Sequence, residues 1–168
     1  MNPLIDRRCW LRAVAAGSIG LSVAAPSVAQ TSRTGAQMQA KGTFEVQLSN
    51  QPVAAGTEAA QLGRKAIHKT FQGDLQATSL GEMLAAGTAT PGSAGYVAME
   101  RVEGQLAGRR GSFVLMHFGV MDRGQPSLTI RVVPDSGTGE LAGLGGTMNI
   151  DIRDGQHFYQ LDWQLPQP

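Results

Sequence analysis

Apolar and polar residues alternate with a period of two along most of the chain beyond residue 40. In the segment 43–48, Phe44, Val46 and Leu48 fall on one side and polar residues fall on the other. Successive side chains of a β-strand point to opposite faces, so this pattern predicts half-buried strands. We predict eight of them, at residues 43–48, 63–73, 76–86, 96–106, 112–121, 128–132, 147–152 and 157–163.

The segments between these strands favour a closed sheet. Glycine is abundant, with 22 residues, which favours many turns and short strands over helices. Asp154-Gly155 is typical of a two-residue hairpin, and the glycine-dense run 136–146 is typical of a corner where a sheet bends or closes. With no obvious crossover helix, the strands predict an all-β fold, an eight-stranded antiparallel barrel whose closure leaves no exposed edge. A barrel of this size is filled by its own side chains or holds one small ligand.

Two of the predicted strands leave alternatives open. Residues 81–86 also have helical propensity. The segment 112–121 is apolar on both faces, with Phe113 on one and Phe118 on the other. A strand buried on both faces needs a cover, which a helix, the leader segment or another subunit could provide. A homo-oligomer formed through strand 112–121 is therefore one expectation.

The N-terminus has the three parts of a secretory signal. Arg7-Arg8 stands in a cationic head, residues 13–25 are weakly apolar, and Ser27 and Ala29 supply the small residues of a cleavage site. The paired arginines favour a twin-arginine signal over an ordinary secretory one, and the apolar run is shorter than the ~20 residues of a membrane span. We predict a cleavable signal peptide over 1–29, a flexible lead-in over 30–40 and a single barrel domain over 41–166.

This division predicts a bacterial protein that is periplasmic or secreted. Cleavage would remove Cys9, the only cysteine, so disulfides and thiol nucleophiles are not expected in the mature chain. The formal net charge of +1 gives no electrostatic case for nucleic acid or an anionic membrane surface. We expect no nucleic-acid partner and no stable membrane insertion after cleavage.

Five segments, taken in order, resemble a family of small bacterial proteins classed as a domain of unknown function and placed with the allene oxide cyclase-like barrels. The resemblance covers about residues 41–165, and the glycine-rich run is similar to the corner motif of allene oxide cyclases and plant dirigent proteins. It implies an eight-stranded antiparallel barrel with an apolar cavity, which members of the superfamily use to hold a flexible hydrophobic molecule. The cyclases' catalytic motif has no counterpart in the first strand here. The segments are Lys69–Asp74, Gly81–Leu84, Tyr96–Arg101, Gly111–His117 and Val133–Gly146.

Glu100 and His117 are the candidate catalytic residues. Glu100 and Arg101 are neighbours within a strand, so their side chains point to opposite faces and one of them must lie inside the barrel. A buried charge needs a partner, which Lys69 or His117 could supply. The pair could do acid–base chemistry or orient a ligand at a cavity, or it could be a structural salt bridge.

Tyr159 and Trp163 share an apolar face of the last strand, where they would stack on a ligand or form plain core. With Lys69, Glu100 and His117 they make up the predicted ligand-binding residues. We predict no metal site, because the three histidines lie on separate strands without preformed ligand spacing. The strand that begins at Thr147 also excludes a phosphate loop, which needs a helix after its glycines.

The leading hypothesis is an exported barrel that binds a small hydrophobic ligand in its cavity without any cofactor. The alternative is a cofactor-independent isomerase or cyclase acting on a lipid-like substrate, in which cavity shape and a Glu100/His117 pair steer the reaction. A second alternative is a structural or oligomeric assembly protein.

Overall fold

A computed structural model describes residues 36–166, which form one closed barrel of eight strands in chain order. Each strand pairs antiparallel with its neighbour in the chain, and the last pairs with the first. The predicted all-β, eight-stranded antiparallel barrel is confirmed. The predicted signal peptide over 1–29 lies outside the described residues. The strands are β1 Met38–Gln51, β2 Gly63–Gly73, β3 Leu75–Gly87, β4 Ala94–Leu106, β5 Arg109–Asp122, β6 Gln125–Val132, β7 Gly145–Arg153 and β8 Gln156–Gln164.

Every strand except β2 extends beyond its predicted bounds, and β1 extends the furthest. β1 begins at Met38, which pairs with Trp163 of β8, so the last residues of the expected lead-in belong to the barrel wall. The helical alternative for residues 81–86 is wrong, because this segment forms the second half of β3, where residues 81–85 pair with β2 and residues 81–86 with β4. Tertiary pairing outweighs a local helical preference there. In the part of the chain described, no helix is long and apolar enough to cross a membrane.

One end of the barrel, which we call the packed end, is filled by side chains. Most of the glycine-rich run 136–146 lies in the connection between β6 and β7, which closes this end and leads into β7. A short 3₁₀ turn, Gly139–Leu141, turns Leu141 and Leu144 inward, and both are fully buried. Glycine is needed nearby because a Cβ at Gly111 would overlap the carbonyl oxygen of Thr138. The other buried apolar residues here include Leu75, Leu106, Phe113, Leu161 and Trp163.

The opposite end, which we call the mouth, is only partly filled. Its inward side chains include apolar ones that stay accessible, since Leu48 is 51%, Leu128 39% and Ile152 61% exposed. They also include a polar pair at the rim, in which the Lys65 ammonium donates to the Asn50 side-chain oxygen at 2.8 Å. The wall is also weakest here. β6 and β7 pair only at two positions near the packed end, Ile130↔Met148 and Arg131↔Thr147, so their mouth halves are not joined by a ladder.

The outer face of β3, β4 and β5 carries large apolar side chains that remain exposed. β5 is apolar on both faces, as predicted, but no residue between 36 and 166 covers its outer side. We call this surface the outer patch. It consists of Leu80, Leu84, Val97, Met99, Met116, Phe118 and Val120.

Candidate functional site

A buried cluster of polar side chains lies inside the barrel, with Glu100 at its centre. The Lys69 Nζ is 2.7 Å from Glu100 Oε2, and the His117 Nε2 is 2.9 Å from the same oxygen. The Ser79 hydroxyl donates a short hydrogen bond to Glu100 Oε1. Glu100 is fully buried, and its neighbour Arg101 points outward into solvent, which settles the face that each residue occupies. We call Lys69, Ser79, Glu100 and His117 the ion cluster.

The ion cluster draws one residue from each of four adjacent strands. Lys69 of β2 lies directly opposite Ser79 of β3. His117 of β5 lies opposite Ala98 of β4, which is two residues before Glu100 on the same inward face. Inward residues recur at every second position along a strand, so this register places all four side chains in one region of the interior. The sequence predicted that Lys69 or His117 would be the partner of Glu100, and in the structure both lie next to its carboxylate.

Glu100 is held as a carboxylate. Burial by itself raises the pKa of this carboxyl, but the His117 imidazole at 2.9 Å, the charge and hydrogen bond of Lys69 and the Ser79 hydroxyl together outweigh it and lower the pKa to about 2. A carboxylate of that pKa is a weak base near neutral pH. Its contribution is to hold Lys69 and His117 in place, not to carry protons.

Lys69 is surrounded by aromatic rings on its other side. Its Nζ lies 5.0 Å from the ring centre of Phe44 and 5.8 Å from that of Phe71. Cation–π attraction strengthens in such a desolvated setting. The ammonium is therefore fixed by one carboxylate and two ring faces inside a largely apolar interior.

His117 is the cluster member with unused hydrogen-bonding capacity. Its side chain is buried, and its Nε2 lies near Glu100 Oε2 without the alignment of a well-formed hydrogen bond to any described residue. Most buried polar atoms in folded proteins have such a partner. This nitrogen contacts the carboxylate only in a poorly aligned geometry, so a well-placed acceptor that enters the interior from the mouth would compete for it.

Sequence reasoning missed Tyr96 and Ser79. Tyr96 points inward four residues before Glu100, and its ring lies over Gly119, where a Cβ would overlap the ring. Burial, and then the negative charge of Glu100, raise the pKa of the Tyr96 hydroxyl, so it stays protonated. The sequence shows that Tyr96 and Glu100 lie on the same face of their strand. It does not show that Tyr96 pairs with Gly119 of the neighbouring strand.

Tyr159 and Trp163 do not join the ion cluster. The Tyr159 hydroxyl accepts a hydrogen bond of 2.8 Å from the Leu75 backbone N–H, and it lies 3.3 Å from the Gln72 carbonyl, to which it donates. Trp163 is buried in the packed end. Both side chains support the wall or core, and their predicted contact with a ligand stays a prediction.

The other histidines are dispersed. His68 is exposed on the outer face, while the ring of His157 lies 5.0 Å from that of Phe44. Between residues 36 and 166, no group of three histidine, cysteine or acidic side chains is arranged to hold a metal ion.

The fold and site define a small closed antiparallel barrel with a charged cluster enclosed in an apolar interior. Residues 40–163 match the family model described as "Protein of unknown function (DUF3224)", and the chain belongs to this family. It is similar to a crystal structure of a DUF3224 protein with unknown function from Shewanella oneidensis MR-1 at 1.84 Å resolution. The two share 52% identity and a TM-score of 0.73, over 79% of this chain and 99% of that chain. Comparison with curated proteins gives no match.

Proposed function

We propose that this protein is an exported barrel that binds a small hydrophobic ligand in its mouth, with a polar group of the ligand directed at the ion cluster. The observation that supports the proposal best is the buried His117 Nε2, which lacks a well-formed partner in the described chain and lies below a partly exposed apolar mouth. A polar atom of this kind is costly to bury unless something satisfies it.

The mouth supplies the apolar part of the proposed site. Leu48, Leu128 and Ile152 point inward, yet each remains more than a third exposed. Covering such side chains stabilises a complex by roughly 25 cal/mol per Å² of apolar surface removed from water. A hydrophobic molecule that fills the mouth would therefore gain most of its affinity here.

The ion cluster and its neighbour Tyr96 supply more donors than acceptors. A lysine ammonium has three N–H groups, of which one contacts Glu100, and Tyr96 adds a hydroxyl, while both oxygens of Glu100 are already contacted. The group that complements this excess is an acceptor, such as a carbonyl, ether or hydroxyl oxygen. We infer that the ligand class is an apolar molecule bearing one such oxygen.

The halves of β6 and β7 without ladder pairs would offer a route into the interior if they part. Beyond Ile130↔Met148 the two strands share no ladder pair, and the inward residues on either side, Leu128 and Ile150, are apolar. A hydrophobic molecule can pass an apolar gap without meeting a charged barrier. We propose this gap as the entrance.

Binding accounts for the geometry better than acid–base catalysis does. An isomerase or cyclase that used Glu100 as its base would need a carboxyl with a pKa close to neutral. The pKa of Glu100 is instead about 2. If turnover occurs, Lys69 and His117 would act by polarising a substrate oxygen, with Glu100 fixed as their counter-ion.

Native mass spectrometry of the purified protein tests ligand binding. We expect a bound small molecule to add mass to the wild type and to be lost in Leu128→Asp, which places a charge inside the mouth. Thr129→Asp is the matched control, because this next residue of β6 points outward and is exposed. A wild type without added mass, or equal loss in both variants, would contradict the proposal.

Export rests on the Arg7-Arg8 signal and needs its own test. We propose that a twin-arginine translocase exports the chain to the periplasm or beyond. Replacing Arg7-Arg8 with Lys-Lys should then retain the precursor inside the cell, as seen by immunoblotting of cell fractions. Normal secretion of this variant would argue for the ordinary secretory route.

We also propose that the barrel belongs with the allene oxide cyclase-like barrels. Its eight-stranded closed topology and the place of the glycine-rich run at the packed end support this. Superposition on an allene oxide cyclase should match the strand order and the position of that run. A different strand order would contradict the grouping.

A further inference from the structure

The outer patch lies at the upper end of the apolar surface that an isolated monomer leaves in water. Its seven large apolar side chains are between 38% and 68% exposed, and no described residue covers them. The largest apolar patch on a typical monomer is about 300–600 Å², and larger ones mark interaction sites. Seven half-exposed side chains of this size reach roughly the upper limit of that range.

The strand register arranges charges on both flanks of the outer patch. Glu82, Met99, Met116 and Arg131 lie side by side on the outer faces of β3, β4, β5 and β6. The row therefore has an acid at one end, two methionines in the middle and a base at the other end. The adjacent row towards the mouth runs Leu84, Val97, Phe118 and Thr129.

We propose that the outer patch is the contact between two copies of this chain, related by a two-fold axis that runs parallel to the strands between β4 and β5. Such an axis places each residue opposite the residue of the partner subunit that lies at the same distance from the axis on its other side. Met99 then packs against Met116 of the partner subunit. Glu82 faces Arg131 of the partner subunit, so the row is complementary in charge to its own copy.

The flanking charges are available for this contact. The Glu82 carboxylate is bound by Arg64 of its own chain at 2.6 Å, but its side chain is still 58% exposed and can accept a further hydrogen bond. Arg101, at the edge of the patch, donates to the Ser112 hydroxyl at 3.2 Å, which turns its charge away from the methionines.

The size of the surface also suits a second copy. A stable interface buries about 800 Å² on each partner, which the apolar patch and its polar rim together approach. Methionine side chains adapt to one another's shape, which favours a contact between like surfaces. A different protein is the alternative occupant of the same patch, and a purified chain that stays monomeric would point to it.

Analytical ultracentrifugation of the purified full-length or processed protein tests the contact. We expect a dimer at micromolar concentration and a monomer for Phe118→Glu, with unchanged circular dichroism. Thr78→Glu is the matched control, because Thr78 is exposed on the outer face of β3 beyond the patch, and it should leave the dimer intact. A monomeric wild type, a partner of different sequence on the patch, or a dimer that survives Phe118→Glu would overturn the proposal.

A charge exchange tests the two-fold geometry itself. Glu82→Arg and Arg131→Glu should each weaken the dimer about ten-fold or more, because each places like charges opposite one another across the interface. The double variant restores opposite charges and should recover most of the affinity, even though it still lacks the Arg64–Glu82 pair. Failure of the double variant to recover would show that these residues do not face each other.

Discussion

The two ends of the barrel are built by the same eight strands but differ in how their interiors are completed. At the packed end, the β6–β7 connection turns Leu141 and Leu144 inward and covers Trp163, so this half is a closed core. At the mouth, β6 and β7 separate, and inward residues such as Leu128 remain exposed. The ion cluster lies in the interior that these two ends enclose.

This difference separates stability from binding within one sheet. A side chain that is already enclosed contributes to folding, whereas an inward apolar side chain that remains exposed contributes most when something covers it. We therefore assign the packed end to stability and the mouth to ligand contact.

The largest effect is expected at the packed end. Trp163→Ala should lower the free energy of unfolding by about 3–5 kcal/mol, because it leaves a large cavity in a closed core. Ile152→Ala at the mouth is the comparison, and it should cost about 1 kcal/mol or less, since this side chain is mostly exposed. Urea denaturation measures both, and similar losses would show that the ends do not differ.

Breaking the ion cluster should cost nearly as much. Glu100→Gln should destabilise the fold by about 3 kcal/mol, because it leaves the buried Lys69 ammonium without a counter-ion. The double variant Lys69→Met with Glu100→Gln removes both charges and should be more stable than Glu100→Gln alone. If Glu100→Gln unfolds at the same urea concentration as the wild type, the cluster contributes no stability.

The ion cluster should also make stability depend on pH in acid. The folded pKa of Glu100, about 2, lies below its ordinary value of 4.5, so this group stabilises the fold fully above pH 4.5. The stabilisation is lost as the pH falls from 4.5 towards 2. Urea midpoints of the wild type should therefore fall more steeply over this window than those of Glu100→Gln, and parallel curves would contradict the assignment.

The smallest effect concerns the two tyrosines, one near the mouth and one in the wall. Burial raises the pKa of both Tyr96 and Tyr159 above the ordinary value of 10.0, with further contributions from Glu100 and Asp74. Ultraviolet absorbance during an alkaline titration should show no tyrosine ionising at its ordinary pKa. If half of the tyrosine signal changes at pH 10 or below, one of the two hydroxyls is not enclosed as described.

Much of the fold is predictable from alternation, because inward and outward residues differ so clearly along each strand. Alternation also shows that either Glu100 or Arg101 must be inside, and it marks Lys69 and His117 as partners. It cannot supply strand register, which is what brings Ser79 close to Glu100 and places the Tyr96 ring over Gly119. The separation of β6 from β7 and the closing role of the glycine-rich run depend on long-range packing, which no local pattern encodes.

The most direct test of the proposed site is the imidazole nitrogen spectrum of His117, recorded by nuclear magnetic resonance during titration with decanone and, separately, with decane. Decanone carries the carbonyl oxygen that the ion cluster is expected to recognise, and decane has a similar chain without it. We predict that decanone shifts the His117 Nε2 signal, that decane shifts it much less, and that the exposed His68 responds to neither. Equal responses to both compounds, or a His117 signal that does not move with decanone, would contradict the account.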